Sequence, residues 1–240
     1  MLKKILACLL TVALLMSLAA CGEPADIRGE VIENDPTTVP ATTQPQETTQ
    51  EPTEAPTEAP TEPTFSIGSA SGNTYKNEFI GIQCVLDGNW VFKTDEEMRQ
   101  INQITSDLVG EEYKNFVSNL AVVQDMMAVN TNQMDTINVV LEKLSGANLL
   151  LTADQYMSLS KDATVNALAS MGLNIVSAEV TKVQFAGEEH AALVIQADVE
   201  GIAVYEVLLA IKCNGYMACV TACTWIENTC MDILNKFEAC

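Results

Sequence analysis

Apolar and polar positions divide this chain into three regimes. From Ile5 to Leu18 nearly every residue is apolar, with Lys3 and Lys4 in front and the small residues Ala19 and Ala20 behind. That block is too short and too abruptly ended for a stable membrane span, so it reads as an export signal over residues 1–20. Across residues 21–73 large apolar side chains are sparse. Over residues 74–240 they return at the spacings of helices and strands, which marks this part as the folded domain.

Within that domain the pattern predicts a sequence of elements. Glu78 to Leu86 alternates in part and is followed by Asp87-Gly88-Asn89 and then Trp90-Val91-Phe92, a strand, a turn and a strand. Thr94 with Glu97 forms a capping box, opening a helix whose apolar positions are Met98, Ile101, Ile104 and Leu108. A shorter helix is expected over Glu111 to Leu120. Strands follow over Val122 to Val129 and Thr136 to Leu144. In the second, Ile137, Val139 and Leu141 face one side and Asn138 and Glu142 the other, so one buried face is expected.

Thr152 with Gln155 forms a second capping box, and its helix should run to about Met171 and stop at Gly172. Tyr156, Leu159, Ala163, Ala167 and Met171 make its predicted inner stripe. Strands over Ile175 to Phe185, Ala191 to Val199, Ala203 to Cys213 and Tyr216 to Thr224 are separated by AGEE, EG and NG turns, so they pair antiparallel. A helix opened near Asn228 or Thr229 and carrying Phe237 closes the chain. These elements predict an α+β layered sandwich around a mainly antiparallel sheet of about five to seven strands.

Charge and composition sharpen the middle regime. Between Gly22 and Asn73 one basic residue, Arg28, stands against ten acidic ones; between Thr74 and Cys240 nine basic stand against twenty-two acidic. Such a surface repels nucleic acid and anionic headgroups and favours solubility and cations. Repeated Pro-Thr-Glu units cannot bury enough apolar surface to offset their own ordering, so residues 21–73 read as a disordered linker. Stretched by its prolines and like charges, the chain from Pro36 to Asn73 would reach on the order of 100 Å, against roughly 35 Å as a flexible coil. GSASG, Gly68 to Gly72, lacks a serine at its centre and reads as a hinge rather than a nucleophile elbow.

Leu18-Ala19-Ala20-Cys21 after a charged and apolar leader resembles the lipobox of bacterial lipoproteins. The resemblance implies acylation of the Cys21 sulfur and cleavage between Ala20 and Cys21. Anchoring by two or three acyl chains, at about 0.8 kcal/mol per buried methylene, would be essentially permanent. Cys8 falls within the discarded leader. A second resemblance rests on Phe79, Gly81, Ile82 and Trp90, then Val183-x-Phe185-x-Gly187, then NGYMACVTACTW and Phe237. That order is similar to the PsbP-like fold, shared by photosystem II extrinsic proteins, a Ran-binding nuclear-import factor and lipoproteins of clostridial gut bacteria. It covers residues 74–239 and implies a PsbP-like layered α/β/α sandwich. The proline usual before the tryptophan is replaced by Asp87-Gly88-Asn89, and no residue matches a photosystem or Ran-binding surface, so those activities do not transfer.

Candidate chemistry is sparse. Cys84, Cys213, Cys219, Cys223, Cys230 and Cys240 lie in the domain. Cys219 and Cys223 share one face of a strand about 13 Å apart, too far to bridge. The gaps among the others match no zinc or redox spacing. Reduced cysteine acting as a small hydrophobe is the favoured reading, with disulfides and a metal as alternatives. His190 follows Glu188-Glu189, where a carboxylate would raise its pKa toward that of a general base; an exposed turn histidine is the plainer reading. Trp90 and Tyr216 are candidates to flank a groove, with core or rim packing the plainer reading, and Met126-Met127 reads as core. Phosphate-loop, zinc-protease and EF-hand signatures are absent. The expectation is a surface-exposed lipoprotein, held to the membrane through lipid on Cys21, whose domain binds an unknown protein or small ligand with no cofactor or metal. The alternatives are an extracellular enzyme built on Cys223, Cys230 or His190, and a structural or envelope-stress role.

Overall fold

The computed structural model describes residues 65–100 and 122–240. The export signal, Cys21, most of the linker, Ile101, Ile104, Leu108 and the helix expected over Glu111 to Leu120 lie outside the described residues. Two sheets organise the rest. Strands β1 (Ser69–Ser71), β2 (Thr74–Asn77), β3 (Ile82–Val85) and the final β11 (Phe237–Ala239) form a small sheet in the order β1-β2-β3-β11. Strands β4 (Trp90–Phe92), β5 (Val122–Asn130), β6 (Thr136–Lys143), β7 (Asn174–Phe185), β8 (Glu188–Val199), β9 (Ile202–Cys213) and β10 (Tyr216–Trp225) form a large one in the order β4-β5-β6-β10-β9-β8-β7. Every pairing in both sheets is antiparallel.

Local chemistry accounts for the meander of β7 to β10. Its three hairpins turn on Ala186-Gly187, Glu200-Gly201 and Asn214-Gly215, and all six residues have positive φ. That is the geometry of two-residue turns whose twist matches the flanking strands, and glycine at the second position holds it without strain. The first turn is tighter than AGEE suggests, because Glu188 and Glu189 already pair with Phe185 and Gln184.

Helix α1 (Ala153–Ser170) begins at the predicted capping box. The Gln155 amide donates to Thr152 Oγ1 at 3.2 Å, and the Thr152 amide donates to Gln155 Oε1 at 2.9 Å. It gives way at Met171 to Gly172, whose φ is 96°. Its buried residues are Tyr156, Met157, Ser160, Thr164 and Leu168, whereas Leu159 is 57 % exposed. The inner stripe is thus rotated from the predicted one. Two small hydroxyls point inward and donate to the carbonyls four residues back, Ser160 to Tyr156 and Thr164 to Ser160, so they pack without losing hydrogen bonds.

Helix α1 packs against β7, β8 and β9, with Tyr156, Met157 and Leu168 meeting Leu193, Leu208 and Cys219. On the opposite face the large sheet meets the small one and helix α2 (Cys230–Leu234), burying Tyr75, Phe79, Ile82, Val139, Leu209, Val220 and Leu234. The expected α+β class and mainly antiparallel sheet are what the structure has. Because both faces of the sheet are covered, β6 is buried from Thr136 through Glu142. This corrects the expectation of one buried face: Asn138 and Glu142 do not face water. Two further differences concern the small sheet. Ser69–Ser71, expected as hinge, is a strand, and Phe65 already stacks on Tyr216 at 4.6 Å. Phe237, expected on the closing helix, sits on β11 opposite Cys84 and packs on Phe185 at 5.2 Å, because β3 offers an open edge. Among the described residues no helix is long and apolar enough to cross a membrane.

Candidate functional site

His190 sits on β8 opposite Val183, three residues past the Ala186-Gly187 turn, and is half-buried rather than exposed. Its ring meets Phe185 edge-on at 6.0 Å. Burial lowers its pKa, with Lys182 adding to the effect, and this outweighs the nearby Glu188 carboxylate and the Phe185 backbone, which act the other way. The expectation of a raised pKa is therefore corrected. Desolvation of the imidazolium costs more than an exposed carboxylate returns, and the ring is held neutral. Beside it opens a cavity of about 250 Å³ lined by Ile80, Ile82, Ile211, Ala186, Glu188 and His190, with Gly81 and Ala239 at its edge. The β2–β3 turn, β8, β9 and β11 each contribute a wall. No signal in the sequence joins Ile80 to Ile211.

A larger hollow, about 430 Å³, lies between β1, the bulged part of β5 and the start of helical residues 95–100. Its polar centre is Asp125, placed where the pairing of β5 with β6 shifts register. The Asp125 carboxylate accepts from the Gly68 amide at 2.6 Å, from Asn77 Nδ2 at 2.7 Å and from the Tyr75 hydroxyl. Asn77 Oδ1 in turn accepts from the amides of Phe79 and Ile80, which fixes the β2–β3 turn. Asp125 therefore fastens the small sheet to the large one. Sequence reasoning passed over it; the polar Gln124-Asp125 step inside an otherwise apolar strand was the available signal.

Among the described residues the cysteines form no disulfide. Cys84, Cys219, Cys223 and Cys230 are buried, Cys213 is half-buried and Cys240 exposed, and all six are free thiols. Burial pushes Cys84, Cys219 and Cys230 up to about 12, and raises Cys223 well above the ordinary thiol range. Cys223 stands in register with Glu206 and Thr136 on the face that also carries α1. Cys230 belongs to the opposite face, where its thiol donates to the carbonyls of Tyr205 at 3.3 Å and Ala222 at 3.5 Å. Cys223 and Cys230 nonetheless lie near each other, and Cys223 hydrogen-bonds the Glu206 carboxyl, while His190 sits beside the β7–β8 turn. Among the described residues no group of three or more His, Cys, Asp or Glu is placed to hold a metal ion.

Other expectations are met. Met126 and Met127 are both core, on opposite faces of β5. Trp90 is buried, and Tyr216 is closed in by Phe65 and Phe79, so both pack rather than line a groove. Two buried glutamates were not singled out. Glu142 accepts from the Tyr156 hydroxyl at 2.5 Å, and burial lifts it to about 7. Glu206 is lifted to about 8 by burial, and its Oε2 has no hydrogen-bond partner. Thr136, Asn138 and Thr221 on the same face also leave an oxygen unpartnered.

No family model matches the chain, and no curated protein is similar to it. Among solved structures it is similar to the solution structure of cyanobacterial PsbP (CyanoP) from Synechocystis sp. PCC 6803, at 13 % identity and a TM-score of 0.39 over 73 % of this chain and 98 % of that one. It is also similar to the crystal structure of LpqN, involved in cell envelope biogenesis of Mycobacterium tuberculosis, at 12 % identity and a TM-score of 0.39 over 65 % of this chain and 82 % of that one. At these identities and scores the likenesses concern fold alone, and neither neighbour's role passes to this chain.

Proposed function

We propose that the chain is a lipid-anchored extracytoplasmic protein whose α+β domain binds a ligand rather than transforming one. The observation that carries the reading of the domain is the burial of its reactive groups in protonated form. Cys223 hydrogen-bonds the Glu206 carboxyl with Cys230 close by, but burial keeps both thiols and that carboxyl protonated, and His190 on β8 shares no interaction with them, so no ionised nucleophile stands beside a base. A binding module needs only a shaped, mostly apolar hollow with a few polar groups, and the His190 cavity has that composition. Placement outside the cell rests on Leu18-Ala19-Ala20-Cys21 and the Pro-Thr-Glu tether. Anchoring is tested by expressing the full chain and its Cys21→Ser variant with radiolabelled palmitate. The wild type should carry label and sediment with membranes, while the variant should be unlabelled. Label persisting in the serine variant would refute the assignment.

A further inference from the structure

We propose that the cavity beside His190 receives an alkylammonium group, either a free amine or the side chain of a lysine on a partner protein. The carbon stem would lie among Ile80, Ile82 and Ile211, and the charge would sit at Glu188. The inference rests on the reading of the domain as a binding module and gives that module a ligand class.

Four observations point the same way. The walls of the cavity away from its polar rim are aliphatic: Ile80 and Ile82 are buried, and Ile211 is partly so. Such walls accept a chain of methylenes and reject a polar body. Next, Glu188 supplies the only formal charge of the lining, and the ion pairs found among the described residues involve other carboxylates. In the larger hollow, by contrast, Asp125 already accepts three hydrogen bonds. Third, the imidazole of His190 is held neutral by burial, so a ring nitrogen can present a lone pair to an ammonium donor. An imidazolium there would repel one. The surrounding domain, with twenty-two acidic residues against nine basic ones from Thr74 to Cys240, draws cations toward the mouth and disfavours anions.

The test is calorimetric titration of the full chain, at physiological ionic strength, with n-hexylammonium, 1-hexanol, hexanoate and Nα-acetyl-lysine N-methylamide. Hexylammonium should bind saturably and about tenfold more tightly than 1-hexanol, with hexanoate weakest. Glu188→Gln, on an exposed turn-proximal position, should erase the advantage of the ammonium over the alcohol while leaving alcohol binding unchanged. Ala239→Trp, at the exposed edge, should weaken both. Binding of the lysine derivative identifies a side chain of a partner as the natural form, and its failure beside successful hexylammonium binding identifies a free amine. Equal affinity for hexylammonium and 1-hexanol, no saturable binding, or an ammonium preference that survives Glu188→Gln would each overturn the proposal. A chain acylated at Cys21 that ignores hexylammonium loses only this ligand class, whereas a chain that binds it but is never acylated loses only the anchor.

Discussion

At Gly68 the fold leaves no room for a side chain. A Cβ added there would lie 2.5 Å from Cε2 of Tyr75 and 2.9 Å from Oδ2 of Asp125, a buried ring and a carboxylate held by three donors. Neither neighbour is free to move, so Gly68→Ala should cost about 1–3 kcal/mol, read as a lower urea midpoint. A second residue-scale consequence follows from Glu142 and Glu206. Each carboxyl titrates in the fold above its ordinary value of 4.5, at about 7 and about 8, because burial penalises the charged form. The folded state therefore holds these protons more tightly than the unfolded chain. Their contribution is complete below about pH 4.5 and is lost as pH rises through 7 and 8. Urea midpoints should fall between pH 5 and pH 9, on the order of 3 kcal/mol for each glutamate, and Glu206→Gln should flatten the upper part of that fall. A midpoint that climbs over this range would contradict the assignment. None of this was legible in the sequence. A glutamate in a strand reads as the solvent face unless the covering layer is known, and here α1 and the small sheet come from distant parts of the chain.

Among the elements, those with a local cause were legible and those with a distant one were not. The hairpins of β7 to β10 follow from glycines that adopt positive φ, and both capping boxes form where Thr94 and Thr152 announce them. At Thr94 the Glu97 carboxylate accepts from the Thr94 amide and from Lys93, and these bonds draw it down to about 2. The inward face of α1 differs from the predicted one because apolar side chains were taken to mark it, whereas the sheet beneath takes the hydroxyls of Ser160 and Thr164. The difference is measurable. Leu168, fully buried, should cost about 2–5 kcal/mol when replaced by alanine, and Leu159, more than half exposed, should cost under about 0.5 kcal/mol by the same thermal or urea assay. Equal costs would restore the predicted stripe. β11 escaped notice for a related reason. Phe237-Glu238-Ala239 carries no strand signal of its own and becomes one only against the edge of β3.

For the molecule as a whole, the cysteines offer a single readout. Counted under denaturing conditions, the six domain thiols should all be free. In the native state a thiol reagent should modify Cys240 first and Cys213 more slowly, leaving Cys84, Cys219, Cys223 and Cys230 protected until global unfolding. Fast labelling of Cys223 or Cys230 would reopen the case for a thiol enzyme. The candidate site was legible only in part. His190 and its neighbouring glutamates stood out as the lone histidine beside acids, but the aliphatic walls assemble from four elements that share no local pattern.

The small sheet joins the two ends of the domain, since Cys84 on β3 pairs with both Tyr75 and Phe237. A pairing of such long sequence separation forms late, after the local hairpins of β7 to β10, because the intervening chain must first be drawn together. Until β11 docks, the outer edge of β3 is an unpaired strand able to recruit another chain. The last few residues therefore act as a latch on assembly: their arrival closes the edge at which incompletely folded copies would otherwise join.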